Sequence, residues 1–384
     1  MWTVPRSQWT AVAALALAVA LLPLPAHAAE AADLRFTPER ADRSLLDALD
    51  AALPNTSVSA LLDGANRTGH ACDAPVAALA ASFCWNDADA ATPGWMPQGV
   101  TTSADATGTP DYDGRETMIV SWYDTADGGA TDKGVRLSFV DLTDPTAPRY
   151  RHVLLAEPVW RDGEATFEPV RVHAGGIAWY GDRLYVVDTW NGVRVFGLDH
   201  LWRVGADLPG AFGRQDDGTF QGRGYSYVLA QTAMYRHTAT GDAPELRLSF
   251  ISVDRGPEDA LLLGEYADSP GAARLARLPL AADGLPREGE DGVARADGVW
   301  TPGLATAQGA VAVGDRFLLS VSDGDGDRDG GELAVWRPGE APVVGFDVLP
   351  QGPESFSYWP SRDRVWSASE PPGRRYVYAF SPPS

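Results

Sequence analysis

His173-Ala174-Gly175-Gly176-Ile177-Ala178-Trp179-Tyr180-Gly181-Asp182-Arg183-Leu184-Tyr185-Val186-Val187-Asp188 reads as two short strands joined by a tight turn. A polar residue and glycines open the first strand, and Asp182-Arg183 marks the turn. The second strand is β-branched and aromatic and ends on an acid. Asn191-Gly192 then gives a hairpin signal, and Gly192-Val193-Arg194-Val195-Phe196 supplies a third, alternating strand. The cassette recurs. Its other polar starts are Gln98-Gly99-Val100, Gln231-Thr232-Ala233, Gln308-Gly309-Ala310 and Gln351-Gly352-Pro353-Glu354, and its acids are Asp124, Asp188, Asp254, Asp323 and Glu370. Repetition at roughly 40–60 residues per unit is what a β-propeller writes into its sequence, because each four-stranded blade buries its faces only against its neighbours. The expected fold class is all-β, a five-bladed β-propeller, or six-bladed if the Gly- and Asp-rich insertion at 205–224 hides a blade.

Second strands are expected at 118–123, 184–187, 246–253, 317–321 and 365–368, and third strands at 134–140, 192–196, 261–266, 332–336 and 376–380. Outer strands follow at 150–155, 273–278 and 343–349. The last copy stops at Pro383-Ser384 without one. Propellers close by letting the other terminus complete the last blade, so a segment around Leu34-Arg35-Phe36 is expected to pair there.

Residues 1–28 carry one positive charge, Arg6, then an apolar stretch from Ala11 to Leu24 and Ala26-His27-Ala28, the pattern of a secretory signal. Residues 29–95 lack the repeat and form an N-terminal arm, with a helix over 43–53 placing Leu45, Leu46, Leu49 and Leu53 on one face and a second short helix over 74–82. Residues 96–384 are the propeller. Cys72 and Cys84, an even pair in an exported chain, are expected to form a disulfide. Basic residues number 31 against 52 acidic, a net charge of −21, and Lys133 is the one lysine. Such a field repels nucleic acid and anionic lipid. No stretch after the signal has the length and apolarity of a membrane span. The product reads as a secreted, extracellular monomer whose partners are glycans or proteins.

From Gln308 to Phe380 the chain resembles an uncharacterised family of secreted actinobacterial β-propeller-like proteins. Gln308-Gly309, Val335-Trp336-Arg337-Pro338-Gly339, Gly352-Pro353-Glu354-Ser355-Phe356-Ser357-Tyr358-Trp359-Pro360 and Trp366-Ser367-Ala368-Ser369-Glu370-Pro371-Pro372-Gly373 carry the resemblance. It implies fold and location, and no activity.

In a propeller blade the start of the first strand and the end of the second lie side by side at the channel mouth. The repeat therefore gathers Gln98, His173, Gln231, Gln308, Gln351 and Glu354 with Asp124, Asp188, Asp254, Asp323 and Glu370 on one concave face, the default place for a ligand. The competing reading is structural: such side chains also bond neighbouring backbone and cap turns. Trp95, Trp122, Tyr123 and Trp190 are aromatic candidates for sugar stacking or for blade packing. Asp323, Asp325, Asp327 and Asp329 crowd one loop, which fits either a Ca²⁺ site or a solvated hairpin. The twelfth position counted from Asp325 is Trp336, which excludes an EF-hand. Metalloprotease, nucleophile-elbow, Walker and dinucleotide motifs are absent, and His and Cys spacing fits no zinc site. The sequence supports ligand binding at the mouth first, a carbohydrate-active hydrolase using channel carboxylates second, and a structural cell-envelope module third.

Overall fold

The computed structural model describes residues 31, 33–125, 133–241, 244–322 and 330–383. The segment 1–28, expected to be a secretory signal, and the acidic loop with Asp323, Asp325, Asp327 and Asp329 lie outside the described residues.

Among the described residues, antiparallel ladders group the main strands into five four-stranded units. The first contains Trp95–Thr102, Arg115–Asp124, Val135–Asp141 and Arg149–Arg161. Ile177–Tyr180, Arg183–Asp188, Gly192–Arg203 and Tyr227–Ala239 make the second. The third is Leu248–Arg255, Asp259–Glu265, Leu275–Pro279 and Gly298–Trp300. Ala307–Val313, Arg316–Val321, Gly330–Trp336 and Val343–Pro350 form the fourth. Ser357–Trp359, Arg364–Ala368, Tyr376–Phe380 and, from far upstream, Leu79–Cys84 form the fifth. Each first strand contacts the first strand of the next unit, and Ser357–Trp359 contacts Trp95–Thr102 in turn. The fold is an all-β propeller.

The repeated glycine has a steric cause. A Cβ on Gly99 would lie 2.6 Å from the Ile177 nitrogen, one on Gly176 2.4 Å from the Ile251 nitrogen, and one on Gly309 2.5 Å from the Ser355 Cα. First strands converge on the axis, and only a residue without a side chain lets the next backbone pass so close. Buried serines tie the same places together: Ser121 Oγ donates to the Ala174 carbonyl at 2.9 Å, and Ser320 Oγ to the Glu354 carbonyl at 2.8 Å. Apolar side chains fill the wedges between units. Ile119, Leu137, Ile177 and Trp179 pack between the first and second, and Trp85, Trp122, Trp359 and Trp366 between the fifth and first.

Several expectations need correction. Leu79–Cys84, within the segment expected to be helical at 74–82, is instead the strand that completes the last unit. Tertiary pairing with Tyr376–Phe380 overrides the weak helical preference of Ala80 and Ala81. Leu34–Arg40 pairs with Tyr227–Ala239 on the outside of the second unit, not with the last unit. The insertion at 205–224 holds a two-stranded ladder of Phe212–Arg214 with Phe220–Gly222, so it supplies no four-stranded unit. The third copy is slipped by one strand: Gln231 lies in the outer strand of the second unit, and Leu248–Arg255 is the first strand of the third. The helix Arg43–Ala52 is as expected, capped by Asp42, whose carboxylate accepts the Ser44 N–H at 2.9 Å. Cys72 and Cys84 are joined in a disulfide at the end of the closing strand.

Between Cys84 and Trp95 the short helix Asp87–Ala91 carries Asp89 into the seam where fifth and first units meet. Its carboxylate, only 5% exposed, accepts from Arg136 Nη2 at 2.9 Å, the Tyr150 hydroxyl at 2.7 Å and His152 Nε2 at 3.2 Å, and pairs with Arg67 at 3.2 Å. Burial alone would raise this carboxyl, but hydrogen bonds from His152 and Tyr150 and the charge on Arg136 hold it below the usual carboxylate range. Burial and Arg136 push His152 down to about 3, so its imidazole is neutral at physiological pH. Ser138 Oγ lies 2.9 Å from His152 Nδ1, giving a Ser-His-Asp sequence of contacts. It is buried throughout, and Trp122 Nε1 donates to Ser138 at 2.9 Å, so the relay is structural.

Gly99→Ala is expected to cost about 1–3 kcal/mol in a chemical denaturation measurement, the usual range for overpacking. Gly94→Ala, whose added Cβ would meet Thr92 Oγ1 at an ordinary 3.9 Å, should be near neutral. Asp89→Asn, which strips the charge from a buried cluster holding Arg136, should cost about 3 kcal/mol or more. The disulfide closes a short loop, and its removal should cost less, about 2–3 kcal/mol.

Candidate functional site

The first strands enter at one end of the channel and the second strands return to it. At the far end the helix Ser103–Thr107 covers the first strands of the first, second and fifth units. Its Asp105 is buried, accepts from Thr101 Oγ1 at 2.7 Å and Ser357 Oγ at 2.6 Å, and is pushed up to about 6 by burial. The near end opens into a cavity of about 380 Å³.

Every unit contributes to that cavity. Gln98 and Tyr123 come from the first, His173 and Thr189 from the second, Arg247, Ser249 and Tyr266 from the third, Gln308 from the fourth, and Glu354 and Glu370 from the fifth. His173 Nε2 lies 2.7 Å from Gln98 Oε1, and the Gln98 amide donates to the Pro97 carbonyl at 2.9 Å and to Glu354 Oε1 at 3.3 Å. Tyr123 stacks on His173 with ring centroids 4.3 Å apart, and its hydroxyl reaches Glu370 Oε1 at 3.5 Å. An isolated antiparallel bridge between Pro353 and Ser369 sets Glu354 opposite Ala368 and Glu370 opposite Gly352, so the two acids are diagonal neighbours across it.

Burial, reinforced by the Glu370 charge, pushes the Glu354 carboxyl well above its ordinary value, against a lowering hydrogen bond from Gln98. Glu370 is raised by burial, with Arg375 and Tyr123 working the other way. Burial lowers His173, leaving a neutral imidazole at physiological pH, and pushes Tyr123 up to about 12 with help from Glu370 and Glu354. Glu354, which holds its proton to higher pH than an ordinary glutamate, and Glu370 beside it place a proton donor and an acceptor on one wall. Among the described residues, no group of three or more His, Cys, Asp or Glu is placed to hold a metal ion.

Of the residues expected on this face, the structure brings together Gln98, His173, Gln308, Glu354 and Glu370. The other described ones point elsewhere, and Asp323 lies outside the described residues. Asp124 accepts the Lys133 N–H at 2.7 Å, and Asp188 accepts from Arg194 Nε at 3.0 Å and Asn191 Nδ2 at 2.8 Å, the turn-capping role of a strand-end acid. Gln351 accepts from Arg374 Nη1 at 3.0 Å outside the cavity. Gln231 accepts from Arg194 Nη1 at 2.7 Å in its outer strand. Asp254 lies at the end of a first strand, bound to Arg277 at 2.8 Å. Trp95 and Trp122 are buried in the core and flank Arg136. Trp190 is 68% exposed beside Arg247, 4.8 Å from its ring centroid. Sequence reasoning missed Thr189, Arg247, Ser249 and Tyr266. Starting the third repeat at Leu248 would have put Arg247, Ser249 and Tyr266 at the mouth.

The fold and site define a propeller-class protein with a polar, carboxyl-bearing channel mouth. No family model matches the sequence, and no curated protein matches it, so the resemblance carried by residues 308–380 stands without a matched relative. Among solved structures the chain is similar to Myxococcus xanthus glutaminyl cyclase, at 11% identity and TM-score 0.35, over 82% of this chain and 94% of that one. It is similar to a GH43_1 enzyme from Xanthomonas citri, at 9% identity and TM-score 0.33, over 88% and 92%. A third is the β-propeller domain of Cps50 (Swd1) from Myceliophteria_thermophila, at 11% identity and TM-score 0.33, over 74% and 96%. At these values none of them carries an activity to this chain. Among the described residues no helix is long and apolar enough to cross a membrane.

Glu354 gives the site a pH signature. Folded, it keeps its proton to higher pH than it does unfolded, so above its ordinary value the native state binds more protons than the unfolded state. Stability contributed at this position therefore falls as pH rises from the unfolded value to the folded one, and levels off beyond it. Glu354→Gln cannot ionise. Its stability relative to wild type should be higher at about pH 8 than at about pH 4 in denaturation measurements, whereas an unchanged difference would contradict the assignment.

Proposed function

We propose that the five units form a closed five-bladed ring and that the chain is exported to bind an extracellular polar ligand, a glycan or a protein segment, at the channel mouth without turning it over. The observation that carries this reading is the convergence of Gln98, His173, Gln308, Glu354 and Glu370 from four units on one cavity of about 380 Å³. Sidedness supports it: the helix Ser103–Thr107 covers the opposite end. Trp190, exposed at the rim, offers an aromatic face on which a sugar ring can stack. Export rests on the signal-like pattern at 1–28 and agrees with the Cys72–Cys84 disulfide.

A second reading, hydrolysis, is favoured by the raised Glu354 carboxyl beside Glu370, an acid and a base on one wall. A glycan and peptide array with the mature chain, followed by calorimetry on the ligands found, decides between the two. For a binder, Glu354→Gln and His173→Ala each weaken affinity by about tenfold or more, the scale of one lost hydrogen bond in a buried site, with no turnover in any variant. Gln231→Ala, outside the cavity, should bind like wild type. Turnover that vanishes in Glu354→Gln while binding persists would replace the first reading with the second.

A further inference from the structure

We propose that the ligand of the mouth carries a protonated amine, its ammonium held between the Glu354 and Glu370 carboxyl groups beside the Tyr123 hydroxyl. This rests on the mouth being the binding site and adds the chemistry of the group bound there.

Glu354 is only 3% exposed and lines the cavity, yet one of its oxygens receives just the Gln98 amide at 3.3 Å, and no described residue donates to the other. Among the described residues, Glu370 Oε1 receives only the Tyr123 hydroxyl, at 3.5 Å. The main-chain N–H groups of both residues are already used, Glu354 on the Ala368 carbonyl and Glu370 on the Gly352 carbonyl, each at 3.0 Å. The nearby cations are engaged elsewhere. Arg375 donates to the carbonyls of Glu370, Asp89 and Thr92 and to the Met96 sulfur, and its side chain makes no hydrogen bond to either carboxyl group. Arg247 lies against the Trp190 ring at the rim. His173 is held by Gln98 and stacked on Tyr123. Two neighbouring carboxyl groups in a desolvated wall, with no cation of the described residues hydrogen-bonded to their oxygens, form a site whose missing member is positive. An ammonium brings three donors and one charge, matching two carboxylates and the Tyr123 oxygen and taking the place of the proton the pair otherwise holds, whereas a neutral hydroxyl supplies a hydrogen bond and no charge. Both carboxyls are raised by burial, so binding a cation would release protons.

Matched probes test this by thermal shift on the full chain: glucosamine against N-acetylglucosamine, and alaninamide against N-acetylalaninamide, with wild type, Glu354→Gln and Glu370→Gln. The amines should raise the wild-type Tm by about 2 °C or more over their acetylated partners, and either substitution should abolish the difference. Acetylated probes that protect wild type as well as the amines, with protection lost in the variants, would overturn the amine assignment and leave the mouth as the binding site. Amine protection equal in all three proteins would mean diffuse attraction to an acidic surface and also overturn it. Protection by none of the probes would count against both the amine and the mouth.

Discussion

Asp89 sits where the chain, having completed the last four-stranded unit with Leu79–Cys84, turns into the first strand of the first. Residues 85–94 carry the chain from the fifth unit to the first, and side chains around that crossing hold the two units against each other. Here Arg136, Tyr150 and His152 of the first unit bind the Asp89 carboxylate, while Arg375 of the fifth binds its carbonyl. Arg375 is buried, and burial and Arg136 lower it to about 10, so it stays charged at physiological pH. Its Nε also holds the Glu370 carbonyl at 2.8 Å. The contacts that close the ring thus fix the backbone that presents a mouth carboxyl, and fold and site share one anchor.

That coupling explains the economy of the mouth. First strands approach closely at Gly99, Gly176 and Gly309, which narrows the channel and leaves polar neighbours Gln98, His173 and Gln308 turned into it. Water is removed from Glu354 by the same packing, and its carboxyl rises as a consequence. The cavity is therefore preorganised around a destabilised pair of acids, a condition under which a complementary ligand gains more than it would from carboxylates in open solvent.

Much of this was legible from the chain. Glycine after a polar residue and a strand ending on an acid located the first and second strands of four units, three of them also marked by an Asp-Arg turn, because the steric demand at the axis repeats with the fold. Reading failed where tertiary context changed the pattern. Tyr227–Ala239 is flanked by Gly192–Arg203 and Leu34–Arg40, so its outer strand has the buried look of an inner one and Gln231 passed for a mouth residue. Leu79–Cys84 is alanine-rich and becomes a strand only because Tyr376–Phe380 offers an unpaired edge. Whether an acid at a strand end faces the channel or caps its own hairpin depends on a nearby arginine or amide, as Arg194 and Asn191 decide for Asp188, and no local spacing encodes that.

The central claim about the site is that packing around the channel desolvates Glu354 beside Glu370 and raises its carboxyl well above the ordinary value. Carboxyl ¹³C chemical shifts followed against pH, with Glu354→Gln to assign the signal, measure it directly. A Glu354 resonance titrating well above the ordinary glutamate range, and shifting when Glu370 is replaced by Gln, is the result predicted. A resonance titrating at the ordinary value and indifferent to Glu370 would mean that the carboxyl is solvated and that the mouth is not the desolvated, paired-acid site described.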